Sequence, residues 1–298
     1  MTNKKIALIG AASGWGAKIR TNEGGPTAMR AFRLAEKLAQ HNLQVAWDEI
    51  IFAKERGSLN TSMDPTFTLP HILDHAERLA QRIIYNMEAG SFPVVIGGDQ
   101  STAVGIWSGV ITALKRPQNF GLLWLDAHMD AHTHETTESN AVHGMPLACL
   151  LGYGASELVN LAQKGPKLNP EHLVLVGVRS YERGEADLLK RLGVRIFFMD
   201  EVKQKGIDVV LQEAHATITQ KTDIFGISVD LDAFDPVDAP GVGSPEKDGL
   251  RVQETLPALA KLADDPGFAG LEISEYNPHL DQNFQTAQIV LDLCLSLL

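Results

Sequence analysis

Gly121-Leu122-Leu123-Trp124-Leu125-Asp126-Ala127-His128-Met129-Asp130 is an unbroken apolar run that ends abruptly in acidic and imidazole side chains. Such a run reads as a strand buried on both faces, which is the habit of parallel sheets covered by helices. Far downstream, Ile224-Phe225-Gly226-Ile227-Ser228-Val229 runs in the same way into Asp230-Leu231-Asp232. Unpaired buried carboxylates are costly. Acids gathered at strand ends therefore call for a counter-charge, and a pair of divalent cations supplies one. A metal-dependent enzyme is the first reading.

On either side of these stretches, short apolar runs alternate with amphipathic segments. Further strands are expected at Ile6–Gly10, Leu43–Trp47, Pro93–Gly97, Leu173–Gly177, Val194–Phe198 and Gly270–Ile273. Helices are expected at Pro26–Gln40, His71–Glu88, Thr102–Leu114, Gly184–Leu192, Val209–Thr219, Val252–Ala263 and Phe284–Leu297. This alternation implies an α/β fold with a mostly parallel sheet of about eight strands, covered by helices on both faces. Ligands of such sheets bind at the carboxyl ends of the strands. That is where Gly97-Gly98-Asp99-Gln100-Ser101, Asp126–Asp130, Gly177-Val178-Arg179-Ser180, Asp230–Asp232 and Ser274-Glu275-Tyr276-Asn277 stand. The irregular stretch Met129–His143 is the candidate substrate loop.

The 298 residues are 44% hydrophobic, enough for a large core, and no linker or repeat divides them, so one domain over 1–298 is expected. A net charge of -11 with scattered Lys and Arg speaks against nucleic acid or an anionic membrane as partner. The two cysteines, Cys149 and Cys294, lie among apolar neighbours and read as buried free thiols. The polar lead Met1–Lys5 passes straight into a strand, unlike a secretory signal, and no run is long enough to span a membrane. A cytoplasmic location is the default expectation.

Asp126, His128 and Asp130 are spaced by two, which turns all three to one side of an extended segment. Asp230 and Asp232 repeat the device. Four carboxylates and one imidazole exceed what one small cation needs, and mixed oxygen and nitrogen donors suit manganese, with iron, cobalt and nickel open. Two metals about 3.5–4 Å apart would activate a water. A lone Asp-x-Asp is commonly a turn or a cap, but that reading loses ground beside Asp-x-His-x-Asp on a second strand.

Together with His143-Gly144-Met145-Pro146, Glu275 and the early loop Asn22-Glu23-Gly24-Gly25-Pro26, these motifs resemble the ordered motifs of the arginase (ureohydrolase) family, from about Ile6 to Asn277. The resemblance implies a three-layer α/β/α fold, two Mn²⁺ per chain, and hydrolysis of a small cationic guanidino substrate to urea and an amine. Arginine to ornithine is the foremost expectation. By position, Asp126 and Asp230 would bridge the metals. Asp130 with Gln100 would complete one metal site, and His128 with Asp232 the other. His143 would shuttle protons and Glu275 would hold the guanidinium. The family's usual homo-oligomer, a trimer or hexamer, is implied in the same way.

The chain departs from that pattern in places. The family normally has His at Gln100, and a neutral amide there implies a looser first metal site. In the loop, Ser139 matches a contact to the substrate carboxylate, while His132 and Ala141 stand where asparagines are usual. Glu182 replaces an Asp that takes the α-amino group. His132 and His134 are read as loop or surface residues rather than extra ligands. The alternatives are an agmatinase or another guanidino or formimino hydrolase, and, from a different class, a metal-poor arginine-binding homologue without turnover. A deacetylase of the same broad fold is disfavoured by the paired Asp230/Asp232 and Glu275.

Overall fold

A computed structural model describes residues 4–55, 62–116 and 118–298; of the polar lead, residues 1–3 lie outside the described residues. Its sheet comprises β1 (Lys5–Ala12), β2 (Gln44–Phe52), β3 (Ser91–Gly97), β4 (Gly121–Leu125), β5 (Leu173–Val178), β6 (Arg195–Phe198), β7 (Phe225–Asp230) and β8 (Phe268–Ser274). The order is β2-β1-β3-β8-β7-β4-β5-β6, and among the described residues every strand pairing within this sheet is parallel. The helices are α1 (Gly25–Ala31), α2 (Leu34–Ala39), α3 (Pro65–Glu88), α4 (Ala103–Leu114), α5 (Pro146–Leu150), α6 (Ser156–Val159), α7 (Arg183–Leu192), α8 (Met199–Lys205), α9 (Ile207–Ile218), α10 (Val252–Ala260) and α11 (Gln285–Leu297).

Alternation along each strand feeds two cores. Leu8, Leu123, Leu125 and Val229 pack on the side of α2, α9, α10 and α11. Ile9, Leu122, Trp124 and Trp107 pack on the other side, with α3, α4 and α7. This three-layer arrangement matches the expected class. On the second side α3 and α4 approach closely at Gly105 and Gly109, where an added Cβ would lie 2.8 Å from the Ala76 carbonyl and 2.9 Å from that of Ala80. That approach fixes α4, and with it the turn that carries Gln100. Cys149 and Cys294 are buried free thiols, as expected. Among the described residues, no helix is long and apolar enough to cross a membrane.

Several bounds differ from the expectation for local reasons. The helix expected over 26–40 is two, because Arg33 takes a left-handed conformation (φ 63°) between them. Helix α3 begins at Pro65 rather than beside Pro70. The Asp64 side chain accepts from the Thr66 amide at 2.9 Å, and Pro65 occupies the first turn, where its missing N–H costs nothing. Strand β2 continues past Trp47 through Asp48, whose charge on this edge strand is met by Arg82 at 2.6 Å and Asn86 at 2.7 Å. The short helices α5, α6 and α8 are too brief for periodicity to reveal.

Candidate metal centre and substrate pocket

Four neighbouring strands, β3, β8, β7 and β4, bring their carboxyl ends to one rim. The register pairs Leu125 with Val229, so Asp126 and Asp230 leave the sheet side by side, and it pairs Asp230 with Ser274 on the other flank. Asp126 is wholly buried. Its Oδ2 accepts from Trp124 Nε1 at 2.8 Å and its Oδ1 from the His128 amide at 2.6 Å. Burial, followed by the Asp232 charge, pushes this carboxyl up to about 6.

His128 Nδ1 lies 3.2 Å from Asp232 Oδ2 and 3.4 Å from Asp126 Oδ1. Burial alone would lower the imidazole pKa, but Asp232 and Asp126 together raise it. Burial would raise Asp232, and the His128 charge outweighs it, leaving that carboxyl below its ordinary value. Asp130 and Asp230 are pushed well above theirs, first by burial and then by their acidic neighbours.

Donor atoms of Asp126, His128 and Asp232 all lie within 4.8 Å of one another, and so do those of Asp126, Asp130 and Asp230. Asp126 belongs to both groups. Mutually repelling carboxylates around one imidazole form the donor set that suits divalent ions of intermediate hardness, and their repulsion is what such ions relieve. The residues present therefore fit a pair of cations.

Beside this cluster, Glu275 emerges from β8 in a left-handed conformation (φ 62°), with its amide bonded to the Gly98 carbonyl at 2.8 Å. Its Oε1 accepts from the Gln100 amide at 2.9 Å and faces His143 Nδ1 at 3.2 Å; its Oε2 accepts from Asn22 Nδ2. Burial would depress the His143 imidazole, but its hydrogen bond to Glu275 and that group's charge raise it.

A cavity of about 170 Å³ opens beside these groups; Asp126 and Glu275 are buried behind its lining. His128, Asp130, Asp230, Asp232 and His143 line it, together with Ser139, Ala141, His132, Glu182 and Glu185. Gln100 is not among its lining residues: its side chain is 1% exposed and bonds to Ser228 and Ser274. His132 Nε2 lies 2.8 Å from Glu182 Oε2 and 3.7 Å from Glu185 Oε1, and these three could themselves hold a metal ion. His134 is exposed beside Glu135, 4.0 Å away, outside the cavity wall.

Three contributors had no assigned role in the sequence reading. Asn22 stood in a noted motif without a function. Arg179 staples the rim, donating to the Asp232 carbonyl at 2.7 Å and the Glu246 carbonyl at 2.8 Å. Glu185 is buried, and burial pushes it to about 7. Its Oε1 accepts from the Glu182 amide at 3.0 Å, at the start of α7.

An open parallel sheet with two groups of cation donors where its central strands end defines a metal-binding α/β enzyme. The family model described as "Arginase family" matches residues 4–298. The arginase of Bacillus caldovelox is 37% identical over 99% of this chain and 98% of its own, and that of Brevibacillus brevis 36% over 99% and 97%. The solved structure of the Bacillus caldovelox arginase superposes with a TM-score of 0.92 at 36% identity, covering 99% of this chain and 98% of that one. The chain belongs to the arginase family, the metal-dependent ureohydrolases.

Proposed function

We propose that this protein hydrolyses L-arginine to L-ornithine and urea at a dinuclear manganese centre formed by Asp126, His128, Asp130, Asp230 and Asp232. The observation that carries the reading is Glu275, a carboxylate held by Asn22, Gln100 and His143 beside the two donor groups. A carboxylate offers oxygens to a guanidinium fork, and these neighbours orient it. Two cations bound beside it would supply Lewis acidity and an activated water.

The protein's own residues account for the other steps. Glu275 turns the planar guanidinium toward the ligand carboxylates. Asp130, in the donor group with Asp126 and Asp230 and on the cavity wall, is placed to accept a proton from the attacking water. His143, tied to Glu275 through Nδ1, keeps Nε2 for passing a proton to the leaving amine. At the outer end, the Ser139 hydroxyl meets the substrate carboxylate and Glu182 the α-amino group. His132 orients Glu182, and Ala141 leaves room in the loop.

A second reading has a specific observation behind it. His132 occupies Glu182 at 2.8 Å, and Ala141 offers no side-chain donor. The missing donor at Ala141 favours a guanidino substrate without an α-carboxylate, such as agmatine, while the His132–Glu182 contact bears on the amine that both substrates carry. By family, a single catalytic domain in a cytoplasmic homo-oligomer, trimer or hexamer, belongs to the same proposal. The deciding experiment is urea release from arginine, agmatine and shorter guanidino acids after loading with Mn²⁺, Co²⁺ or Ni²⁺. Release from arginine above all others supports the first reading, and preference for agmatine replaces it with the second. Silence across the panel in folded protein overturns both.

A further inference from the structure

Trp107, Glu272, Ser228, Gln100 and Ser274 form a buried chain of hydrogen bonds beside the metal ligands, none more than 1% exposed. Each link decides the next. An indole N–H only donates, and Trp107 Nε1 gives its hydrogen to Glu272 Oε2 at 2.5 Å. Ser228 donates to the same oxygen at 2.8 Å. Ser228 accepts in turn from Gln100 Nε2, 3.4 Å away. The two ends of an amide are told apart by such partners. Here they turn the NH₂ to Ser228 and the carbonyl oxygen to Ser274, whose hydroxyl donates to it in a close contact.

That oxygen is the one side-chain atom by which Gln100 could ligate a cation, since an amide NH₂ has no free lone pair. The main chain of Gln100 has other work, donating to Glu275. Ser274, level with Asp230 in the sheet register, stands where its hydroxyl reaches the carbonyl from the ligand side.

We propose that Ser274 withholds the Gln100 carbonyl from the metal centre, making the two cation positions unequal. The position at Asp126, His128 and Asp232 is strong. The position at Asp126, Asp130 and Asp230 holds its ion by carboxylate oxygens alone and is weak. Gln100 is then a positioning residue for Glu275, acting through its backbone. The inference rests on the dinuclear reading above.

The test is a titration of Mn²⁺ into the metal-stripped full-length protein, followed by calorimetry and by electron paramagnetic resonance. The expected course is two steps separated by about tenfold or more in affinity. The spectrum after the first equivalent is that of an isolated ion, and that after the second shows exchange coupling. Gln100→Leu leaves both affinities within about twofold. Ser274→Ala frees the carbonyl and tightens the second step by about tenfold, and the gain disappears in the double variant. If Gln100→Leu does not fold, Gln100→Met takes its place.

A tenfold weakening of either step in a folded Gln100 variant overturns the proposal, because it makes Gln100 a ligand. A Ser274→Ala protein with unchanged or weaker binding overturns it too. Two equal steps in the wild type overturn the inequality while leaving the dinuclear reading intact. Folded wild-type protein that binds no Mn²⁺ overturns the dinuclear reading itself.

Discussion

Two turns leave the same rim of the sheet, one after β3 and one after β4. Each carries a wholly buried aspartate, Asp99 and Asp126, and burial pushes both carboxyls up to about 6. Their surroundings differ. Asp99 accepts from the Gly16 amide at 2.8 Å and the Ser101 amide at 2.9 Å, tying the loop after β1 to its own turn; Glu275 is the acid that most raises it. Asp126 shares donor groups with Asp130, Asp230 and Asp232. The lesson is that burial and a raised pKa do not mark a metal centre. The number of like charges within reach does, because backbone amides can satisfy one acid but not the mutual repulsion of four.

The contrast can be broken most forcefully at Asp232. Asp232→Ala should lower urea release by about a thousandfold, beyond rescue by excess Mn²⁺; activity within tenfold of wild type would remove the two-metal account. Asp99→Ala should act on stability instead. It leaves two buried amides without acceptors, at a cost of about 3 kcal/mol. The loss, read from urea denaturation, should be the same with and without Mn²⁺, and a metal-dependent loss would erase the distinction between the turns.

His75 offers a control outside the donor groups. Burial lowers its pKa to about 4, and the ring bonds to the Ile51 carbonyl at 2.9 Å. Between pH 6.5 and 4 the unfolded chain binds a proton that the folded chain refuses, so stability falls as pH falls. The loss reaches about 3 kcal/mol by pH 4. His75→Gln should flatten that limb of an acid-denaturation curve.

Chelation comes next. Removing Mn²⁺ held at about a hundred times its Kd should cost about 2.7 kcal/mol, measured as a drop in Tm. An unchanged Tm would mean the acid cluster gains nothing from cations. The smallest effect is expected at the pocket mouth. Ser139→Ala should raise KM for arginine about fivefold with kcat nearly unchanged, because a carboxylate contact is made in ground and transition states alike. Unchanged kinetics would remove Ser139 from the substrate site.

How far the sequence could be read follows the same division. β4 was legible to the residue, Gly121–Leu125, because a central parallel strand needs an unbroken apolar run and the polar residues after it mark its end. The acids of the donor groups were legible through their spacing. What they touch was not. Asp130 and Glu275 sit in left-handed conformations (φ 48° and 62°) that the apolar pattern around them does not report. Gln100 meets Ser274 across 174 residues, and no local pattern reports such a partner. The break at Arg33 was hidden because apolar periodicity continues through it.

The strand order has a consequence for how the molecule comes into being. β8 is the last of the eight strands in the chain, yet it lies between β3 and β7 at the middle of the sheet. Until it inserts, β3 and β7 present bare edges, which invite pairing with other chains. Pairings this distant in sequence form slowly. During synthesis the chain therefore passes through an interval, after Asp232 has emerged and before Glu275 has, in which the donor acids are present but the carboxylate beside them is not. Aggregation risk is concentrated in that interval, and the centre is finished only as the sheet is sealed.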